Sequence, residues 1–98
     1  MHMIDFGMNV QQAIEAPRWT TRGFASSVFP HNMTHPGDLS VESRIPEAVQ
    51  KALQAKGHKL QSAGPWTLGS NAAISIDPKT GVLSAGADPR VEAYAWAR

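Results

Sequence analysis

His31 and His35 stand four residues apart with Asp38 close behind, a set that would ligate zinc if the intervening backbone made a helical turn. Pro30, Pro36 and Gly37 oppose that turn, and no acidic general base sits between the histidines, so both imidazoles read as solvated loop side chains. A threonine hydroxyl such as that of Thr20 or Thr21 becomes a nucleophile only beside a base, often the residue's own free α-amine. Both are internal and no oxyanion-hole signal accompanies them, so loop polarity accounts for them. Gly69-Ser70-Asn71 would turn backbone amides toward an anion, but one glycine outside a phosphate-loop pattern equally leads into a strand. Asp88-Pro89-Arg90 sets a carboxylate and a guanidinium beside a rigid turn, which favours a local cap or ion pair over substrate contact. Asn32-Met33-Thr34 fits a glycosylation acceptor, relevant only in a eukaryotic secretory pathway. Trp19, Trp66 and Trp96 are large enough to stack on a ligand, yet packing or subunit contact is the more frequent use of such surfaces. No residue is assigned as catalytic, cofactor-binding or metal-ligating, and no cofactor is implied.

The elements that must position these residues come from a chain of 98 residues, 42% hydrophobic and 17% charged, which suits one globular domain over 1–98. A chain this short buries a modest fraction of its surface and has no cysteine to staple it, so an exposed apolar face favours a partner. The net charge of +1 is spread without a run of one sign, which argues against nucleic acid. No apolar stretch approaches the ~20 residues of a membrane span, and no basic-then-apolar signal pattern opens the chain. Absence of cysteine excludes disulfides and thiol chemistry but does not choose a compartment, because such a chain folds equally well in reducing or oxidising surroundings.

Asn9 with Gln12 three residues on forms a capping-box pattern for a short helix that Pro17 stops by forcing Ala16 out of the helical region. Residues 20–38 show no apolar period and hold Gly23, Pro30, Pro36 and Gly37, so they read as a long loop that either packs through Phe24, Val28 and Phe29 or belongs to a larger surface. Leu39 and Val41 alternate with Ser40 and Glu42 as a strand. The next helix has Pro46 at its first position, Ile45, Val49, Ala52 and Leu53 on one face, and Gly57 as its left-handed stop. His58 to Ser62 returns as a strand, and residues 72–76 and 82–86 flank the turn Asp77-Pro78-Lys79-Thr80-Gly81 as a hairpin. The order helix, strand, helix, strand, hairpin predicts an α+β fold with a mostly antiparallel sheet.

The words Asp5-Phe6-Gly7-Met8-Asn9-Val10, Glu15-Ala16-Pro17-Arg18, the Glu42 to Gly57 strand and helix, Thr80-Gly81-Val82-Leu83 and Ala87-Asp88-Pro89-Arg90 follow one another in a specific order. In that order the chain resembles the C-terminal part of the small subunit of gamma-glutamyltranspeptidases. The resemblance implies an N-terminal nucleophile hydrolase, made as a precursor that cuts itself into two subunits packed as an αββα sandwich. Its new N-terminal threonine would attack the γ-glutamyl amide of glutathione or a similar donor, with water, an amino acid or a peptide as acceptor. The nucleophile, donor-binding carboxylate and oxyanion glycines of the family all belong upstream of the segment resembling Ile4, so no catalytic residue is carried over. Two readings follow: a scaffold fragment of such an enzyme, inactive alone, or a freestanding interaction or dimerisation module that kept the fold. The partners implied are the remainder of the parent enzyme or, for the isolated chain, another copy in a dimer or higher oligomer. A glutathione-like substrate belongs to the complete enzyme only.

Overall fold

The computed structural model describes all 98 residues. Its elements are α1 (His2–Asp5), α2 (Val10–Glu15), β1 (Trp19–Thr20), β2 (Asp38–Glu42), α3 (Glu47–Ala55), β3 (Lys59–Ala63), β4 (Ala72–Ile76) and β5 (Leu83–Ala87). The fold is therefore α+β in the expected order, with α1 and β1 added. Contacts divide it into two compact units, one of Met1–Ala16 with Gly69–Arg98 and the other of Pro17–Leu68.

In the Pro17–Leu68 unit the strand order is β1-β2-β3, with β1 antiparallel and β3 parallel to β2. Of the three strand pairings β1–β2 and β4–β5 are antiparallel, as a mostly antiparallel fold predicts, and β2–β3 is the parallel exception. Helix α3 is a crossover that brings the chain back to the end of the sheet from which β2 started, and two strands so joined must run the same way. Leu39 and Val41 project to one face and are buried, as their alternation predicts. Pro46 stands at the N-cap of α3, one position before its expected place, and Gly57 supplies the stop at φ 94°. The amphipathic stripe of α3 is present, yet none of the helix's residues is buried.

Residues 20–38 are less featureless than their composition suggests. Trp19 and Thr20 pair with Val41 and Ser40, and Ala25 bridges Met33, closed by Ser26 N–H donating to the Asn32 carbonyl at 3.1 Å. A two-residue strand is too short to leave a period in the sequence. Phe24, Val28 and Phe29 are all exposed, so of the two expected alternatives the loop does not pack through them within this chain.

In the other unit the capping box is complete: the Gln12 amide donates to Asn9 Oδ1 at 2.8 Å and the Asn9 amide to Gln12 Oε1 at 3.2 Å. Ala16 is extended at φ −51°, ψ 142°, as the following proline requires. Helix α2 packs its buried Val10 and Ile14 onto the antiparallel β4–β5 hairpin at Gly86, where an added Cβ would lie 2.8 Å from Ile14 Cδ1 and 2.9 Å from Val10 Cγ1. Gln11 fastens the same contact, its side-chain amide donating to the Ala87 carbonyl at 3.0 Å and accepting from the Ala87 amide at 3.2 Å. Gly86 pairs with Ala73, so α2 covers the small-residue face. The opposite face pairs Ile74 with Ala85 and Ile76 with Leu83, and Ile74 and Ile76 are 68% and 65% exposed.

The hairpin turn is built around Asp77. Its carboxylate accepts from the Lys79 amide and the Thr80 hydroxyl, each at 2.8 Å, and Gly81 takes φ 73°. The Lys79 amide, aided by Thr80, holds the Asp77 carboxyl below its ordinary pKa of 3.8.

Two outcomes follow for stability. Gly86→Ala should cost about 1–3 kcal/mol in urea unfolding, because Val10 and Ile14 have no room to retreat without losing their own burial. For Asp77, a folded pKa lowered below the unfolded one gives stability that is present above the ordinary carboxylate range and lost as pH falls through the lowered value. Melting curves should therefore show the gap between wild type and Asp77→Ala at pH near 7 closing as pH drops below the ordinary carboxylate range.

Candidate functional site

The structure separates the two histidines. His31, at φ 62°, sets its Nδ1 2.9 Å from the Ser26 carbonyl, whereas His35 Nδ1 lies 3.6 Å from Asp38 Oδ2, an oxygen that also takes Arg22 Nη2 at 3.1 Å. No set of three or more His, Asp or Glu side chains converges. Thr20 lies in β1 opposite Ser40, and the Thr21 hydroxyl donates to the Asp38 carbonyl while accepting from the Gly23 amide at 3.0 Å. These contacts tie residues 21–38 together across the base of their excursion. Of the tryptophans, Trp19 and Trp96 are exposed at 63% and 81%, and Trp66 lies under the Arg44 guanidinium, 3.4 Å from the ring centroid.

Gly69-Ser70-Asn71 and Asp88-Pro89-Arg90 meet. The Asn71 amide donates to Asp88 Oδ2 at 2.8 Å, while the Arg90 amide and Nη1 reach Asp88 Oδ1 at 3.1 and 3.0 Å. The guanidinium also donates to the Ile14 and Ala16 carbonyls, each at 3.1 Å, satisfying the end of α2 where the helix leaves carbonyls without partners. Asp88 and Arg90 side chains are almost wholly buried at 0% and 1% exposure. The role is local, the one their spacing favours.

A second buried carboxylate escapes sequence reading. Glu42 is 0% exposed, and its oxygens accept from the amides of Arg18 at 3.1 Å, Thr67 at 3.2 Å and Leu68 at 3.3 Å and from Arg44 Nη2 at 3.0 Å. Arg44 continues to the Pro65 carbonyl at 2.7 Å, and Arg18 Nη1 to the Leu68 carbonyl at 3.2 Å. Alternation puts Glu42 on the strand face away from Leu39 and Val41, where a carboxylate normally meets water. The loop that covers it arrives from more than twenty residues away, so no local signal marks the burial. Held at a fixed place, the group orders three segments and faces no open cleft.

On the other side of the sheet an open apolar groove of ≈ 420 Å³ is lined by Trp19, Leu39, Val41, Ile45, Val49, Leu53 and His58. Its walls offer contact area and almost no polarity, a composition suited to packing against an apolar surface rather than to acid–base chemistry. The expected apolar face of α3 forms one wall.

Removing one partner of a buried, hydrogen-bonded charge leaves the rest uncompensated, at a cost of about 3–5 kcal/mol. Glu42→Ala should lose that much in urea unfolding, and Glu42→Gln a substantial part of it, because its NH₂ would face N–H donors. Arg90→Met should behave likewise through Asp88 and the end of α2, with circular dichroism as the readout.

Known proteins share this architecture. The family model of gamma-glutamyltranspeptidase matches residues 1–97. The acylase ACY 1 proenzyme of Pseudomonas sp. strain SE83 is 38% identical over 78 residues, covering 80% of this chain and 12% of that protein. A glutathione hydrolase-like YwrD proenzyme of Bacillus subtilis strain 168 is 34% identical over 90 residues, covering 90% of this chain and 16% of that protein. Among solved structures, the cephalosporin acylase from Bacillus halodurans superposes with a TM-score of 0.80 at 34% identity, over 100% of this chain and 16% of that one. The chain thus spans only 12% to 16% of the length of these relatives. The order of motifs, the matched span and the shared architecture agree, and the chain belongs to the gamma-glutamyltranspeptidase family as a small portion of a member.

Proposed function

We propose that these residues are the C-terminal scaffold of a gamma-glutamyltranspeptidase small subunit, whose complete form transfers or hydrolyses the γ-glutamyl group of glutathione-like donors. The observation that carries this reading is the family match over 1–97 in a chain that spans 12% to 16% of its curated relatives. In the complete enzyme an N-terminal threonine outside this chain attacks the γ-glutamyl carbonyl, expels the amine, and yields the acyl group to water or to an acceptor amine. Backbone amides stabilise the oxyanion in such a step. This chain's residues hold architecture: Asp88 and Arg90 fix the end of α2, and Glu42 fixes the loop at Thr67 and Leu68.

The αββα sandwich is part of the same proposal. Helix α2 covers one face of the β4–β5 hairpin and leaves Ile74 and Ile76 uncovered on the other, the arrangement expected of an outer helix layer over a sheet whose inner face meets a second sheet. A two-stranded hairpin is marginal alone in water, and this one has open edges on both sides. Isolated copies self-associate through this face.

The 98-residue chain should give no turnover of a γ-glutamyl-nitroanilide above background, and extension through the coding sequence upstream into a threonine-started strand should restore it. Appreciable turnover by the chain alone, abolished by Thr20→Ala or Thr21→Ala, would contradict the scaffold reading. A ribosome-binding site directly before Met1 or Met3 would instead favour a freestanding module.

A further inference from the structure

We propose that the groove between α3 and β2 is the seat of an uncharged, apolar stretch of the polypeptide that completes a member of this family. The inference deepens the scaffold reading and rests on it, by naming a surface and its occupant. Ile45 just before helix α3 and Val49 and Leu53 along one side of it all stand on the groove wall, yet no residue of the helix is buried and Val49 is 47% exposed. A nine-residue helix is too short to hold itself in water without tertiary cover.

The occupant is argued from three observations. The Bacillus halodurans chain that superposes on this one over its full length is largely other polypeptide, since the match takes up 16% of it. That material is the polypeptide available to cover this fold in a complete member. The groove has one titratable group, His58, among its lining residues, so a charged segment would find no counter-charge there. A volume of ≈ 420 Å³ open to solvent, with Trp19 63% exposed at its rim, gives shape for packed side chains. A small polar ligand would lack the convergent hydrogen-bonding groups that fix such ligands.

The sequence has no cysteine, so one introduced thiol reports its own accessibility. Leu53→Cys and, as an outward-facing control, Glu47→Cys are made in the 98-residue chain and in a chimera where this sequence replaces the matching 16% of the Bacillus halodurans acylase. Maleimide labelling, located by peptide mass spectrometry, should be at least roughly tenfold slower at position 53 in the chimera than in the isolated chain, and equal at position 47. Equal labelling at position 53 in both overturns the proposal. So does a chimera that fails to assemble where the unaltered acylase assembles, and so does a dimer of the isolated chain that Leu53→Asp splits, which would assign the groove to a second copy. Turnover by the chimera separates the two readings. Protection at position 53 without turnover would sink the functional reading and leave the docking surface standing, whereas turnover with position 53 reactive would sink the docking surface alone.

Discussion

Burying a carboxylate in a domain this small is tolerable only if nearly every lone pair is met, and Glu42 meets that demand with amides drawn from Arg18, Thr67 and Leu68 and with the Arg44 guanidinium. The consequence runs outward. Arg18 enters β1 under control of the same oxygen that holds Arg44, and Arg44 is pinned in turn between the Pro65 carbonyl and the Trp66 ring. Hydrophobic burial in the Pro17–Leu68 unit amounts to Leu39 and Val41, too little to fix the loops around the sheet. Specific polar geometry does that work here.

The other unit repeats the solution with different residues. Asp88 and Arg90 form a buried ion pair whose remaining valences reach Asn71, Ile14 and Ala16, so one pair joins the end of α2, the entry to β4 and the exit from β5. Replacing such a pair by apolar groups is often neutral for stability. Its use lies in register: it fixes where a six-residue helix stops against a hairpin whose contact face is Gly86 and Ala73, too small to hold it by area alone.

Local chemistry was legible and long-range assembly was not. The Asn9–Gln12 box, the stop at Ala16-Pro17, the left-handed Gly57 and the Asp77 to Gly81 turn each depend on neighbours within a few residues, and each sits where the sequence places it. The Leu39 and Val41 alternation gave the buried face of β2. The parallel pairing of β2 with β3 was missed because period reveals faces and not direction. Strand β1 was missed because two residues have no period, and Glu42 because its covering loop is remote in sequence. Phe24, Val28 and Phe29 are apolar yet exposed, since hydrophobicity alone does not say whether a side chain packs within its own unit or belongs to a larger surface. Family membership came from the order of several short words, a signal that none of them carries singly.

The interleaving of the two units sets an order of events during synthesis. Pro17–Leu68 is continuous and can pair its own strands once residue 68 has left the ribosome, whereas Met1–Ala16 must wait for Gly69–Arg98 before α2 finds Gly86 and Arg90. Residues 1–16 therefore emerge before residues 17–68 yet dock after them, and through that interval Val10 and Ile14 are open to chaperones or to another nascent chain.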